Sequence, residues 1–196
     1  MKEYYDKRAQ EYDEWWLGQG LFAERDRPGW EDELDEVADL LSSLPPTRTL
    51  DVACGTGFIT QHLRGDIVGL DQSASMLTEA ERKLPHATFV QGDALSLPFP
   101  NESFGRLFTS YFYCHLEEEE AARFRDEARR VASELVVMGS NAQPGEELAR
   151  WEERVLNDGT RWQVYKRVFV PEELAAELHG EVIHAGRWFV LVRATL

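Results

Sequence analysis

The chain has 196 residues, 43% of them hydrophobic, and a formal net charge of −15. One compact domain over residues 1–196 is expected, because a chain of this length buries roughly 70% of its unfolded surface, and no apolar run approaches the ~18 residues needed to span a bilayer. The acidity disfavours nucleic acid and anionic membrane as partners, since both draw their affinity from Lys and Arg against phosphates.

The N-terminus carries no apolar signal core, and the two cysteines, Cys54 and Cys114, make neither a disulfide framework nor a metal knuckle. A cytoplasmic protein without a metal is therefore expected. Tyr4 to Trp16 is strongly aromatic, with Tyr5, Arg8, Tyr12 and Trp15 at helical spacing. That segment reads as helical, either packed on the domain or closing over a site, and the whole of 1–30 is grouped with it.

Asp32 to Leu44 is an amphipathic helix with Leu34, Val37, Ala38, Leu41 and Leu44 on one face, stopped by Pro45 and Pro46. A first strand runs from Thr49 to Ala53, a helix from Phe58 to Leu63, and a second strand from Asp66 to Asp71. Ser73 caps a helix that ends at Leu84, before Pro85. Strands follow at Thr88 to Gln91, Gly105 to Ser110 and Leu135 to Met138, with a helix over Glu117 to Val131. Continuous apolar strands separated by helices call for a parallel sheet covered on both faces. Beyond them, Glu146 to Leu156 reads as a helix, Trp162 to Val170 as extended, and Pro171 to His179 as a helix. Val182 to Ala185 and Trp188 to Thr195 read as an antiparallel hairpin on the sheet edge.

The most informative stretch is Leu50-Asp51-Val52-Ala53-Cys54-Gly55-Thr56-Gly57, followed by Ile67-Val68-Gly69-Leu70-Asp71. A sharp turn from strand to helix, with backbone N–H groups open to a ligand, tolerates no side chain at Gly55 and Gly57. An acid closing the next strand can accept both hydroxyl protons of a ribose. A dinucleotide fold wants a third glycine where Thr60 stands, and the loop offers phosphate no Lys or Arg but instead an acid, Asp51. Such a loop suits a cofactor that carries its own positive charge.

Leu50 to Gly57 resembles the glycine-rich motif of the class I S-adenosylmethionine-dependent methyltransferases. The resemblance runs from Thr49 to the C-terminus with a variable insertion, taken as 141–170. It implies an α/β, Rossmann-like doubly wound sheet of seven strands, mostly parallel with an antiparallel C-terminal hairpin. It also implies that Asp51, Ala53, Gly55 and Gly57 hold the methionine part of S-adenosylmethionine and that Asp71 takes the ribose, with Gln72 and Met76 against the adenine. Met76 reads equally as helix core. Asp93 and Ala94, in a Gly-Asp-Ala segment similar to the family's, are implied at the adenine. One departure stands out: Gly105 follows Ser103-Phe104 where relatives carry an aspartate. The N-terminal segment resembles the lids of small-molecule methyltransferases, which brings Tyr5, Arg8 and Tyr12 to the cofactor. Ser110 completes that set at the fourth strand's end.

Residues after the fourth strand face the transferable methyl in such enzymes, so His115 and Tyr113 are the catalytic candidates. His115 reads as a general base or as structural. Tyr111, Trp162, Tyr165 and Arg167, with Lys166, are the candidates for binding a small-molecule acceptor, although the alternation of 162–168 also fits a half-exposed strand. The expected assembly is a monomer or homodimer. Two other readings are a non-catalytic S-adenosylmethionine-binding protein of the same fold and a nicotinamide-dependent oxidoreductase, which the missing third glycine disfavours.

Overall fold

The computed structural model describes residues 1–196. Its strands are β1 (Thr47–Val52), β2 (Gly65–Asp71), β3 (Thr88–Gln91), β4 (Arg106–Ser110), β5 (Glu134–Ser140), β6 (Ala149–Val155), β7 (Arg161–Arg167), β8 (Glu181–Ala185) and β9 (Phe189–Thr195). Its helices are α1 (Lys2–Arg8), α2 (Glu14–Leu17), α3 (Trp30–Ser43), α4 (Ala74–Lys83), α5 (Glu118–Val131) and α6 (Pro171–Leu178). Seven strands form one sheet in the order β3-β2-β1-β4-β5-β9-β8. The first five are mutually parallel, and β9 runs antiparallel to β5 and to β8. This is the seven-stranded, mostly parallel architecture expected from the sequence.

Alternation along the central strands sends residues to two cores, as the pleat requires. Leu107, Leu135, Val137, Val190 and Val192 pack with Phe124 and Ala128 of α5 and Leu174 and Leu178 of α6. Phe108, Val136, Met138, Phe189 and Leu191 pack on the other face with Val37 and Leu41 of α3 and with Trp16 and Trp30. Glu33 of α3 is buried, and its carboxylate accepts from the N–H groups of Trp188 and Phe189, at 3.0 and 2.8 Å, tying the terminal hairpin to α3. No helix is long and apolar enough to cross a membrane.

Three local expectations are corrected. Residues 146–156 are not a helix: Ala149–Val155 is β6, paired antiparallel with β7 as a two-stranded ribbon outside the main sheet. Arg150, Glu152 and Arg154 share its inner face with Lys166, and Glu152 binds both arginines, at 2.6 and 2.5 Å. These ion pairs run along β6 itself, on a mixed inner face where Val164 and Trp162 of β7 stand opposite Glu152 and Arg154. Residues 58–63 form only a single 3-10 turn, Thr60–His62. The N-terminal helix does not run through Trp15; it stops at Arg8 and resumes as α2 at Glu14. Asp13, between the two, is held by Thr56 and Lys83. At the departure from the family motif, the N–H of Gly105 donates to the Arg48 carbonyl at 2.9 Å, and a side chain there would run into Thr47.

Candidate active site

Parallel strands present ligands beyond their carboxyl ends. After β1 the chain turns through Ala53, Gly55 and Gly57, at φ of 58°, 55° and 79°. This left-handed conformation strains any residue with a Cβ. Asp71, at the end of β2, fixes the turn: its Oδ2 accepts from the Gly55 N–H at 3.0 Å and its Oδ1 from the Ser73 N–H at 2.8 Å. Ser73 in turn caps α4, accepting from the Met76 N–H at 3.2 Å. Burial raises the pKa of Asp71, and its backbone donors oppose that rise. Each of its carboxylate oxygens accepts one of these bonds and keeps lone-pair capacity for another.

Asp71 lines a cavity of about 330 Å³. Of the residues expected at the cofactor, Ala53, Gly55, Gln72 and Met76 line it beside Asp71, Asp93 and Ala94 line it from the end of β3, and Ser110 from the end of β4. Tyr5 and Tyr12 close it from the N-terminal segment. Met76 is both wall and core, being fully buried. Asp93 is exposed and also makes a turn, its Oδ1 accepting from the Leu95 N–H at 2.9 Å. Asp6 braces the segment against the loop, accepting from the Ser73 hydroxyl at 2.6 Å.

Three residues expected in this group lie outside the cavity. Asp51 sits inside β1, opposite Gly69 and Phe108. Its Oδ2 accepts from the Thr60 hydroxyl at 2.6 Å and its Oδ1 is buried without a partner. Burial pushes its pKa up to about 7. Gly57 packs against α4, where an added Cβ would meet Leu84 at 3.0 Å. Arg8 lies behind Tyr12, its guanidinium 4.7 Å from the ring centre, and faces a different space.

The acceptor-side expectations divide in the same way. Tyr111, at φ 54°, lines the cavity, and so does His115. Nδ1 of His115 lies 2.6 Å from the Tyr165 carbonyl. A carbonyl only accepts, so Nδ1 carries the proton and Nε2 keeps the lone pair. Burial lowers the pKa of this ring to about 4, so it is neutral near pH 7. Tyr113 is fully buried away from the cavity; its hydroxyl donates to Glu177 at 2.5 Å and accepts from Arg125 at 2.6 Å. Arg167 pairs with the same Glu177 at 2.7 Å. The pleat of β7 explains the division: Trp162, Val164 and Lys166 face inward, whereas Tyr165 and Arg167 face out. Trp162 packs on Tyr4, ring centres 5.8 Å apart, and does not reach the cavity.

A second cavity of about 770 Å³ opens between the N-terminal segment and the ribbon. A small space of about 40 Å³ lies between the two cavities; it shares Tyr5, Tyr12 and His115 with the first and Arg8, Trp15 and Lys166 with the second. Tyr111 lines all three. The first cavity is also lined by Met1, Leu70, Leu95, Phe112, Leu116 and Glu120, none of them expected at the site from the sequence. Phe112 and Leu116 were legible as continuations of the stretch that includes Tyr111 and His115. Glu120 reads in sequence only as part of an acidic helix start, where it indeed accepts from the Glu117 N–H at 3.3 Å.

Residues 50–134 match the family described as a methyltransferase domain. Among curated proteins, an uncharacterized methyltransferase of Alkaliphilus oremlandii is 27% identical over 156 residues, 76% of this chain and 68% of its own length. The dTDP-3-amino-3,4,6-trideoxy-alpha-D-glucopyranose N,N-dimethyltransferase of Streptomyces venezuelae is 41% identical over 90 residues, 43% of this chain and 35% of that protein. A demethylmenaquinone methyltransferase of Thermotoga maritima is 34% identical over 100 residues, 48% of this chain and 43% of that protein. The chain thus matches between about a third and two thirds of the length of these relatives. Among solved structures, the DhpI-SAM-HEP complex superimposes with a TM-score of 0.79 at 23% identity, over 97% of this chain and 94% of that one. At that identity the likeness is one of fold.

Proposed function

We propose that this chain is a class I S-adenosylmethionine-dependent methyltransferase that transfers the methyl group to a small-molecule acceptor by direct displacement, a reading supported by the match of residues 50–134 to a methyltransferase domain and by the order of its sheet. The observation that carries the reading is the two-cavity arrangement: a loop and Asp71 suited to an adenosyl ligand on one side of Tyr111, and an open, larger space on the other. The names of the relatives support a small acceptor, since those that name a substrate name a sugar nucleotide and a quinone.

The residues fit the cofactor. The cavity of about 330 Å³ falls in the range of small-ligand sites. Asp71 has acceptor capacity to spare for the ribose hydroxyls, and Gln72, Met76, Asp93 and Ala94 would hold the adenine. Tyr5 and Tyr12 would close over the sulfonium side, where an aromatic face contributes about 0.5 to 2 kcal/mol by cation–π attraction. When bound, S-adenosylmethionine supplies a methyl group already activated on a cationic sulfur.

The protein's contribution is then chiefly positioning, which is worth up to ~7 to 11 kcal/mol in well-oriented reactions. Tyr12, Tyr111 and His115 would shape the narrow passage through which the acceptor atom reaches the methyl group, and the N-terminal segment would exclude water from it. His115, neutral with a free Nε2, can accept a hydrogen bond from a protonated acceptor and orient it. With its pKa held near 4, the ring is a weak base, so orientation is its main role.

Incubating the protein with methyl-labelled S-adenosylmethionine and a fractionated metabolite extract tests the reading. Label is expected in a low-molecular-mass product. Tight binding of S-adenosylhomocysteine with no labelled product in any fraction would instead favour the non-catalytic binding protein.

A further inference from the structure

The chain is strongly acidic, with a net charge of −15, yet the larger cavity is basic. Six cations line it, Arg8, Arg25, Arg27, Arg150, Arg154 and Lys166, against three carboxylates. Those carboxylates are already engaged. Glu146 pairs with Arg150 at 3.0 Å, Glu152 pairs with Arg150 and Arg154, and Glu153 pairs with Arg161.

Arg8, Arg25, Arg27 and Lys166 form no ion pair. Arg8 donates to the Tyr4 hydroxyl at 2.9 Å, and Arg27 donates to the Trp15 carbonyl at 2.9 Å while lying 4.1 Å from the Trp30 ring centre. Arg25 rests over Phe22 at 4.8 Å. Each guanidinium has five N–H donors, so most of theirs remain free. The cations also disfavour one another. Partial desolvation at the cavity wall and then Arg154 lower the pKa of Arg25, partial desolvation and then Arg25 lower that of Arg27, and burial lowers that of Lys166, with Arg154 and Arg150 adding to it. A cleft of one sign with low-dielectric walls concentrates ligands of the opposite sign. The same cavity has aromatic walls, among them Trp15, Trp30 and Trp188.

The geometry points to an acceptor pocket for a molecule with an apolar or planar body and an anionic group, carboxylate or phosphoryl, held by Arg25, Arg27 and Lys166 while its reacting atom lies at the passage beside Tyr111. This rests on reading the smaller cavity as the cofactor site. Lys166 faces both the passage and the large cavity, and Arg27 is held against Trp15, which also lines both. An anion held by them is therefore next to the passage, and a carboxylate or phosphoryl oxygen needs no base to free its lone pair. The same placement explains why the inner face of the ribbon carries Arg150, Glu152, Arg154 and Lys166 beside Trp162 and Val164.

The test is calorimetric titration of the protein saturated with S-adenosylhomocysteine, using benzoate, phenyl phosphate and uncharged benzyl alcohol at one ionic strength set with sodium chloride. At least one anion is expected to bind about tenfold or more tighter than benzyl alcohol, and the tighter one distinguishes carboxylate from phosphoryl. Arg25→Gln combined with Lys166→Met is expected to abolish the preference while S-adenosylhomocysteine affinity stays within about twofold. Arg25 is exposed, so Arg25→Gln alone serves if the double variant does not fold, with a reduced preference expected. Absence of anion binding, benzyl alcohol binding as tightly as the anions, or a preference unchanged in the variants overturns the pocket and leaves the cofactor reading standing. Failure of the wild-type protein to bind S-adenosylhomocysteine overturns the cofactor reading on which the pocket rests.

Discussion

Asp71→Ala removes the acceptor shared by the loop and, in this account, by the ribose. In the free protein it leaves the N–H groups of Gly55 and Ser73 without partners at 3.0 and 2.8 Å, and a buried donor left unsatisfied costs about 1 to 3 kcal/mol. The variant should therefore melt lower than wild type, which a thermal scan without ligand measures. Binding adds a second loss. Hydrogen bonds to a charged partner are worth about 1.5 to 3 kcal/mol, and the ribose would lose its charged acceptor, so S-adenosylhomocysteine affinity should fall roughly 10- to 150-fold. Calorimetry at a temperature where the variant is folded reads this directly. Asp71→Asn, which retains one acceptor oxygen, should lose less. Affinity within about twofold of wild type in a cooperatively melting Asp71→Ala protein would refute the ribose assignment.

Asp51 has its pKa raised by burial to about 7. Its contribution to stability is therefore complete below the ordinary 3.8 and is lost as pH rises through about 7, a total of about 4 kcal/mol. Urea unfolding of Asp51→Asn should accordingly show about 2 kcal/mol less loss of stability between pH 5.5 and 8.5 than wild type, and identical pH dependence would show that Asp51 is not the titrating group. His115→Ala should lower the methyl-transfer rate more than it weakens S-adenosylhomocysteine binding. Because the His115 ring loses its proton near pH 4, the rate profile of the wild type should show no inflection near pH 6.5 that disappears in the variant. Removing residues 1–12 spares Trp16 and Trp30, which belong to the core. It should leave the sheet folded and weaken S-adenosylmethionine binding about tenfold through loss of the cation–π contribution of Tyr5 and Tyr12, with a smaller loss for the uncharged thioether S-adenosylhomocysteine; undiminished S-adenosylmethionine affinity would make the segment structural only.

The turn after β1, the acid closing β2 and the alternating strands were legible because each is a local demand: a left-handed backbone at Gly55, a partner for its N–H, and apolar runs for a doubly covered sheet. The ribbon was not. Its apolar residues Leu148, Trp151 and Val155 fall at i, i+3 and i+7, a helical spacing, while the residues that reveal its period of two, Arg150, Glu152 and Arg154, are charged because they face a cavity and not a core. Tyr113 and Arg167 were misplaced for a related reason. Spacing does not show how the turn after β4 or the outer face of β7 is directed; the common partner of the two residues, Glu177 on α6, is a tertiary contact that holds both side chains away from the site. Asp51 shows the opposite case, a motif residue expected at the cofactor whose side chain turns to Thr60 inside the fold.

A crystal structure of the protein with S-adenosylhomocysteine tests the two-cavity reading most directly. The ligand should occupy the space of about 330 Å³, with its ribose hydroxyls on Asp71, its adenine between Met76 and Asp93, and its thioether sulfur toward the passage between Tyr12 and Tyr111. Density for the adenosyl group in the basic cavity beside Arg25 and Lys166, or a ribose that makes no contact with Asp71, would contradict it.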